Sequence, residues 1–174
     1  MEIAVRDVQA LDAEAIAGIL NPIITAGVYT ALDTPISVEE ERAFIEGFPA
    51  RGTFLVATCD HQVVGLQSVE PFASYTHAFD HVGVIGTFVD LKMRRRGIAS
   101  RLFAATFDAA RQKGYEKLFA YVRADNPAAL QTYVRQGFET IGTARGHARL
   151  DGRYIDEVLI EAWIGGARSG PAAR

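Results

Sequence analysis

The sequence predicts a mixed α/β domain of the α+β type, in which about four helices flank a mostly antiparallel, twisted sheet of about seven strands. Three observations lead to this prediction. Alternating or β-rich runs indicate strands, apolar residues at helical spacing indicate helices, and the elements follow in the order βααβββαβαββ. The 174 residues suffice for one core. We therefore expect a single domain over residues 1–164, followed by a Gly/Ala/Arg-rich tail over residues 165–174 that should be disordered.

The first predicted elements are a short strand and two helices. Ile3–Arg6 alternates apolar and polar residues, which predicts the strand. Asp12 is the expected N-cap of the first helix, and Pro22 should kink or divide that helix because it lacks a backbone donor. Ser37 and Glu40 have the spacing of a capping box, which predicts the start of a second helix.

The remainder of the chain predicts six strands and two more helices. Thr53–Cys59 and Gln62–Phe72 flank a turn at Asp60–His61, a pattern typical of an antiparallel hairpin. Asn126 followed by Pro127 is typical of a helix start, with asparagine as N-cap and proline in the first helical position. The other predicted elements are strands at Val82–Leu91, Lys117–Val122, Phe138–Ala144 and Tyr154–Trp163, and helices that end near Gly114 and Gly137.

Composition and charge exclude several classes of function. A formal net charge of -3 gives no general attraction to nucleic acid or anionic lipid, so we expect neither as a partner. Cys59 is the only cysteine, which excludes an internal disulfide and fits the reducing cytoplasm. The sequence contains no apolar run as long as a membrane span, no signal-peptide core and no metal-ligand spacing. These features predict a soluble, cytoplasmic protein without a metal.

A cluster of arginines and one glycine lies between a predicted strand and a predicted helix, at Arg94–Ala99. The first backbone N–H groups of a helix have no partner within the helix and bind anions. Gly97 lets the backbone approach a phosphate closely, and Ala99 is small enough to keep that approach open. The pattern is neither a Walker A motif nor GxGxxG. In the alternative interpretation, the arginines only cover a helix start and Gly97 is a turn residue.

The spacing Arg94-x-x-Gly97-x-Ala99 resembles the acetyl-CoA-binding signature of the GNAT superfamily. The resemblance implies the GNAT fold and acetyl-CoA as cofactor, with the N–H groups of residues 95–100 around the pyrophosphate. It also implies that the backbone amides of Phe88 and Val89 polarise the thioester carbonyl, a catalytic role. The cofactor-binding residues implied here are Val89, Leu91, Arg94, Arg95, Arg96, Gly97, Ile98, Ala99 and Ser100.

A second signature follows at the usual distance in that superfamily. Asn126, Ala129, Tyr133 and Gly137-Phe138 are similar to its N-x-x-A-x-x-x-Y-x-x-x-G-F motif. The resemblance implies that Tyr133 binds the cofactor and protonates the departing thiolate, because a phenol can act as a general acid. It implies that Asn126 bonds to the pantetheine arm in addition to capping its helix. In the alternative interpretation, Asn126 is only a cap and Tyr133 only a core residue.

The N-terminal part resembles a narrower group, the phosphinothricin and methionine-sulfoximine acetyltransferases. The resemblance rests on Asn21–Ile24, Tyr29-Thr30 and Ser37-x-x-Glu40, and it implies a small-molecule, amino-acid-like amine as acceptor. Val84 stands where that group often carries a glutamate proposed as general base. The candidate acceptor-binding residues are Tyr29, Thr30, Glu70, Tyr75 and Tyr154.

The C-terminal part departs from that group. Residues 151–157 look more like generic members of the superfamily, including some that acetylate polyamines or protein N-termini, and Asp156 and Glu157 are interpreted as structural. The alternatives are therefore an acetyltransferase of protein or peptide N-termini, or a non-catalytic module that binds acyl-CoA. The resemblance also implies a possible homodimer.

Overall fold

A computed structural model describes residues 2–166 as one seven-stranded sheet with helices on both faces. The sheet has the order β1-β2-β3-β4-β5-β7-β6, and only the β4–β5 pairing is parallel. The prediction of a mixed, mostly antiparallel sheet with seven strands and four helices is confirmed. The strands are β1 Ile3–Asp7, β2 Thr53–Cys59, β3 Gln62–Pro71, β4 Val82–Val89, β5 Lys117–Arg123, β6 Glu139–Leu150 and β7 Arg153–Trp163; the helices are α1 Ala13–Thr25, α2 Val38–Glu46, α3 Ile98–Gln112 and α4 Pro127–Val134.

Strands β4 and β5 diverge soon after they meet. Their parallel pairing consists of Val82 with Lys117, Gly83 with Leu118 and Val84 with Phe119. Beyond these three pairs, β4 continues to residue 89 and β5 to residue 123. Because parallel strands point their carboxyl ends toward the same edge, both ends border one gap in the sheet. This gap positions the candidate site.

The helices cover the two faces separately. On one face α1 packs through an apolar stripe against β2 and β3, where Phe54, Val56 and Leu66 are buried. On the other face α3 buries Leu102 and Phe103, and α4 adds Tyr133 next to Phe138. The Phe103 and Tyr133 rings meet edge to face with centroids 5.3 Å apart. Packing therefore fixes α4 beside the gap.

The first helix differs from the prediction in two respects, although Asp12 does occupy its N-cap position. Helix α1 continues through Pro22 and is not divided by it. Pro22 lies in the last turn, so its missing backbone donor costs one hydrogen bond near the end of the helix. The Asp12 side chain does not cap α1; it accepts hydrogen bonds from Arg6 at 2.7 and 2.8 Å and from the Gln9 amide. The Arg6 guanidinium, helped by that amide, lowers the pKa of the Asp12 carboxyl.

The last hairpin is longer than predicted. Strand β6 extends to Leu150 instead of ending at Ala144, and β7 begins one residue earlier than predicted, at Arg153. A register shift between Ala144 and Ala148 interrupts the alternation on which strand prediction depends, and Gly146 there has φ +55°. Of the predicted tail, Gly165 donates a hydrogen bond to the Glu116 carbonyl at 3.0 Å. Residues 167–174 lie outside the described residues.

Candidate active site

The first cleft lies at the N-terminus of α3 and has a volume of about 520 Å³. Gly97 is the N-cap of α3 with φ +79°, and Arg95 also has a positive φ, of 62°. A Cβ added to Gly97 would meet nothing within 4 Å, so the backbone there is open to a ligand. The residues lining this cleft include Val89, Met93, Arg94, Arg95, Gly97, Ile98, Ala99, Ser100, Asn126 and Tyr133.

Two of the predicted cofactor-binding residues are placed elsewhere. Leu91 lies in a 3-10 turn that follows β4 and packs against the apolar cluster of α1. Arg96 belongs to the turn but does not line the cleft. Arg94 and Arg95 both line the cleft, and the positive φ of Arg95 turns the chain so that Arg96 does not.

The second cleft, with a volume of about 750 Å³, lies on the opposite face of the sheet. Its floor is formed by β3, β4 and β5, and its roof by α2 and the loop over residues 29–36. Tyr29, Thr30 and Glu70 line it, as does Val84, which is paired with Glu70 across the strands. Tyr75 and Tyr154 are 82% and 71% exposed and do not line it, so the structure does not support an acceptor-binding role for either.

The two clefts meet at the gap between β4 and β5, where Tyr29, Thr87, Ala129 and Tyr133 line both. The Tyr133 hydroxyl donates to Thr87 Oγ1 at 3.0 Å, and Gln67 Nε2 donates to the same oxygen at 2.7 Å. Burial raises the pKa of Tyr133 to about 12, so its phenol keeps its proton at neutral pH. The protonated phenol of Tyr133 therefore lies at the junction of the two clefts.

Three side chains attach the roof loop and the residues just before it to β5, to the start of α4 and to the turn that precedes α3. Arg123 donates to the carbonyls of Gly27 and Thr30 at 2.8 and 3.0 Å. Asn126 Nδ2 donates to the Tyr29 carbonyl at 3.2 Å, while its Oδ1 caps α4 by accepting from the Ala129 amide, as predicted. The Arg94 guanidinium lies 4.1 Å from the centroid of the Tyr29 ring.

The backbone amides of Phe88 and Val89, both predicted to be catalytic, point to opposite sides of β4. Asp90 donates its N–H to the Val64 carbonyl, and Phe72 donates to the Val82 carbonyl, so even-numbered residues of β4 bond toward β3. The Phe88 amide therefore belongs to the β3–β4 ladder, opposite Leu66. The Val89 amide points to the other side, into the gap. This arrangement argues against a catalytic role for the Phe88 amide and retains Val89.

Sequence reasoning missed two buried glutamates that line the second cleft, Glu41 and Glu157. Each is 3% exposed. Desolvation raises the pKa of Glu41 to about 7. Desolvation also raises the pKa of Glu157, against the smaller opposing effects of His147 and Arg123. The alternation of β7 could have indicated that Glu157 is buried, because Glu157 lies on the same side of the strand as the buried Ile155. No sequence pattern could have indicated that Glu41 is buried, because α2 carries several glutamates.

Two negative findings apply to residues 2–166, the part of the chain that the structure describes. No cluster of three or more His, Cys, Asp or Glu side chains in this part of the chain is placed to hold a metal ion. None of its helices is long and apolar enough to cross a membrane.

Comparison with known proteins identifies relatives over most of the chain. Residues 25–138 match the model of the acetyltransferase (GNAT) family. An L-methionine sulfoximine/L-methionine sulfone acetyltransferase of Pseudomonas paraeruginosa is 24% identical over 178 residues, which cover 98% of this chain and 100% of the relative.

Solved structures agree with this fold. A phosphinothricin acetyltransferase of Sinorhizobium meliloti in complex with acetyl-CoA superimposes with a TM-score of 0.86 at 21% identity, covering 100% of this chain and 93% of that one. A ribosomal-protein-alanine N-acetyltransferase of Brucella melitensis gives a TM-score of 0.84 at 26% identity, covering 92% and 99% of the two chains.

Proposed function

Because the chain belongs to the acetyltransferase (GNAT) family, we propose that it transfers the acetyl group of acetyl-CoA to the primary amine of a small, amino-acid-sized molecule. The observation that carries this proposal is the position of Tyr133 and Thr87, whose hydroxyls bond to each other where the two clefts meet. One cleft then serves the acetyl donor and the other the acceptor.

The first cleft fits the donor. Residues 98–100 present helix-terminal N–H groups, and open space above Gly97 admits a pyrophosphate. The side chains of Arg94 and Arg95 line the same cleft and add positive charge. We assign the pyrophosphate to this turn and the pantetheine arm to the part of the cleft between Val89 and Asn126.

The residues at the junction suit acyl transfer. Bound acetyl-CoA supplies an electrophilic thioester carbonyl and a thiol leaving group. The Val89 N–H, which points into the gap, is placed to donate to the carbonyl oxygen as negative charge develops there. When acetyl-CoA is bound, the C–N bond would form as the C–S bond breaks, and Tyr133 would give its proton to the sulfur. The proton lost by the nitrogen would pass to water, and the phenol would regain its proton from water. The Thr87 hydroxyl, which accepts from Tyr133, holds the phenol in place before transfer.

The roof of the second cleft favours a small acceptor. Arg123, Asn126 and Arg94 attach the loop over residues 27–30, so the cleft is covered on the side that a peptide chain would need open. The Brucella melitensis neighbour, named for a ribosomal-protein alanine, supports a peptide N-terminus as the second candidate. A cytoplasmic location and a homodimer stay predictions.

A thiol-release assay tests the proposed function. Purified protein with acetyl-CoA is offered amino acids, simple amines and alanine-ended peptides, and each product is identified by its mass. We expect amine-dependent thiol release and an N-acetylated small molecule. Release with peptides alone would favour the second candidate, and CoA binding without any transfer would identify a non-catalytic acyl-CoA-binding module.

A further inference from the structure

Gln67 is a buried polar residue that lines neither of the two clefts. It lies on β3 directly opposite Thr87 of β4. Its Nε2 donates to Thr87 Oγ1 at 2.7 Å, whereas its Oε1 is buried and has no hydrogen-bond partner among the described residues. A buried carbonyl oxygen without a partner costs stability, and an apolar side chain of similar size would avoid that cost. The amide is therefore unfavourable for folding, and the bond that its nitrogen makes leads to the junction of the clefts.

Thr87 Oγ1 receives two hydrogen bonds and keeps its own hydrogen. One comes from Gln67 and the other from the Tyr133 hydroxyl at 3.0 Å. A hydroxyl oxygen has two acceptor sites and one hydrogen, so both acceptor sites are filled and the hydrogen is left to donate. An amide N–H can only donate, whereas the phenol of Tyr133 loses its hydrogen when it acts as an acid. The Gln67 bond is therefore the constant one of the two.

The bond between Thr87 and Tyr133 can reverse its direction. When Tyr133 has given its proton to the sulfur, its oxygen is a phenolate and can only accept. The phenolate is unfavourable at this position, because burial raises the pKa of Tyr133 to about 12. The same 3.0 Å between the two oxygens then lets Thr87 turn its hydrogen toward Tyr133. Gln67 still donates to Thr87, and a hydroxyl that accepts a hydrogen bond is a stronger donor itself.

The orientation of the Gln67 amide decides whether this reversal is possible. With its nitrogen toward Thr87, the amide leaves the Thr87 hydrogen free for the phenolate. With an oxygen in that place, the Thr87 hydrogen would donate to the amide and the phenolate would receive none. The nitrogen in contact with Thr87 is therefore the feature of Gln67 that serves the site.

We propose that Gln67 is a positioning residue, which holds the Thr87 hydroxyl ready to donate to the Tyr133 phenolate that forms as the C–S bond breaks. This inference rests on the proposed function and adds to the site a residue outside both clefts. The proton that reaches the sulfur comes from Tyr133. Thr87 and Gln67 keep their own hydrogens throughout, and the phenolate is stabilised until water returns its proton.

Gln67→Met tests the proposal, because methionine is of similar size and removes both polar atoms of the amide. We expect kcat to fall by about 3- to 10-fold, the equivalent of one hydrogen bond. KM for acetyl-CoA and for the amine should not change, because Gln67 lines neither cleft. The melting temperature should not fall, because the unpaired oxygen is lost as well.

Thr53→Val is the matched control. Thr53 begins β2, is 5% exposed and lines neither cleft, and its hydroxyl is buried without a partner among the described residues. The control therefore also removes a buried, unpaired polar atom, but it leaves the bond to Thr87 intact. Its kcat should equal that of the wild-type protein.

A double-mutant cycle shows whether Gln67 acts through Tyr133. In a Tyr133→Phe background no phenolate forms, so adding Gln67→Met should not lower kcat further. An equal additional loss in that background would show that the substitution disturbs the site in general, and this result would overturn the proposal.

Gln67→Glu adds a pH readout and keeps the shape of the side chain, so it also serves if the methionine variant does not fold. The protonated carboxyl group can donate to Thr87 as the amide does, whereas the ionised one can only accept. The ratio of its kcat to that of the wild-type protein should be near one at low pH and fall as the new carboxyl group ionises. A ratio that is constant or rises with pH would overturn the proposal.

The outcomes separate this inference from the proposed function. If the wild-type protein acetylates small amines and Gln67→Met has the wild-type kcat, the inference alone is wrong. If acetyl-CoA binds but the wild-type protein acetylates no small amine, the proposed function fails and the inference with it.

Discussion

The Tyr133 hydroxyl donates a hydrogen bond to Thr87 Oγ1 over 3.0 Å, and this contact connects α4 to β4 across the gap in the sheet. Thr87 Oγ1 also accepts from the buried Gln67 side chain, so its own hydroxyl hydrogen is left to donate elsewhere. Tyr133 is thereby fixed in one orientation while its phenol remains protonated. The contact combines positioning with a supply of one proton, which is what thiolate departure requires.

Replacing Tyr133 with phenylalanine tests its role as an acid. The variant retains the ring that packs against Phe103 and Phe138, so the fold and CoA affinity should stay near wild type. We expect kcat to fall by about 10- to 1000-fold, which overlaps the roughly 100- to 10,000-fold contribution typical of a general acid. Steady-state thiol release gives kcat, and calorimetry gives the CoA affinity. Turnover at the wild-type rate would assign Tyr133 to the core alone.

Replacing Thr87 with valine removes the acceptor for both Tyr133 and Gln67. The Gln67 side chain is fully buried, and its Oε1 already lacks a partner, so the variant leaves a second polar atom of that amide unpaired. The free energy of unfolding should fall by about 1 to 3 kcal/mol, and kcat should fall because the phenol is no longer held. Thr87→Ser should restore both quantities. If serine restores stability but not kcat, the hydroxyl does not position Tyr133.

Replacing Gly97 with glutamate tests the proposed assignment of the pyrophosphate to the turn before α3. The side chain would add bulk and negative charge where the pyrophosphate is assigned, so calorimetry should detect no CoA binding. Gly114→Glu is the matched control, because Gly114 lies just beyond the opposite end of α3, has φ +88° and, like Gly97, has open space around it. Both variants place a side chain at a positive φ and therefore strain the backbone in a similar way, but only Gly97→Glu should lower the CoA affinity. Unchanged CoA affinity in Gly97→Glu would exclude this assignment.

Local sequence patterns predicted the elements that depend on local contacts. The capping box is present, with Ser37 Oγ accepting from the Glu40 amide at 3.2 Å, and the β2–β3 hairpin turns at Asp60 and His61 with positive φ at both. Asn126 caps α4 as its spacing indicated. These features involve residues a few positions apart, so their signal lies in short stretches of sequence.

The divergence of β4 and β5 could not be predicted in this way. It depends on the point at which the β4–β5 ladder ends, after the pair of Val84 with Phe119, and these two residues are far apart in the chain. The alternating hydrogen bonds of β4 direct the Val89 amide away from β3, and the gap leaves that amide without a partner on β5. Tyr75 and Tyr154 were chosen by residue type, which carries no information on the direction of a side chain. Glu41 was missed because an acidic helix is ordinarily exposed.

The raised pKa of Glu41 makes stability depend on pH. Its carboxyl group titrates near 4.5 when unfolded and near 7 when folded, so the folded state binds more protons between these values. The free energy of unfolding should therefore fall as pH rises from about 5 to about 8. The loss due to Glu41 should be about 1 to 3 kcal/mol. Urea titrations at several pH values measure it, and Glu41→Gln should show a shallower dependence. Equal slopes for the two proteins would contradict this assignment.

The acceptor amine must lose a proton before it attacks. Three titratable side chains close to β4 in the sequence are candidate bases, Glu70, Asp80 and His81, and two of them lie outside the second cleft. Asp80 is paired with Arg51 at 2.8 Å and with His77 at 2.9 Å, outside the second cleft. His81 stacks on Trp163, with ring centroids 6.3 Å apart, and also lies outside it. Only Glu70 lines the cleft, next to the Val84 position that lacks a carboxylate.

We therefore expect that no single side chain is an essential base and that the proton leaves through water held by polar groups of the cleft. Asp80→Ala and His81→Ala should leave kcat close to wild type, and Glu70→Ala should lower it by less than the ~100-fold typical of a lost base. Glu157→Gln extends the test to a buried carboxyl group that lines the cleft. The measurement is kcat over a range of pH, with CoA affinity and melting temperature as controls. A loss above ~100-fold at any one position, with both controls unchanged, would identify the base and exclude the water route.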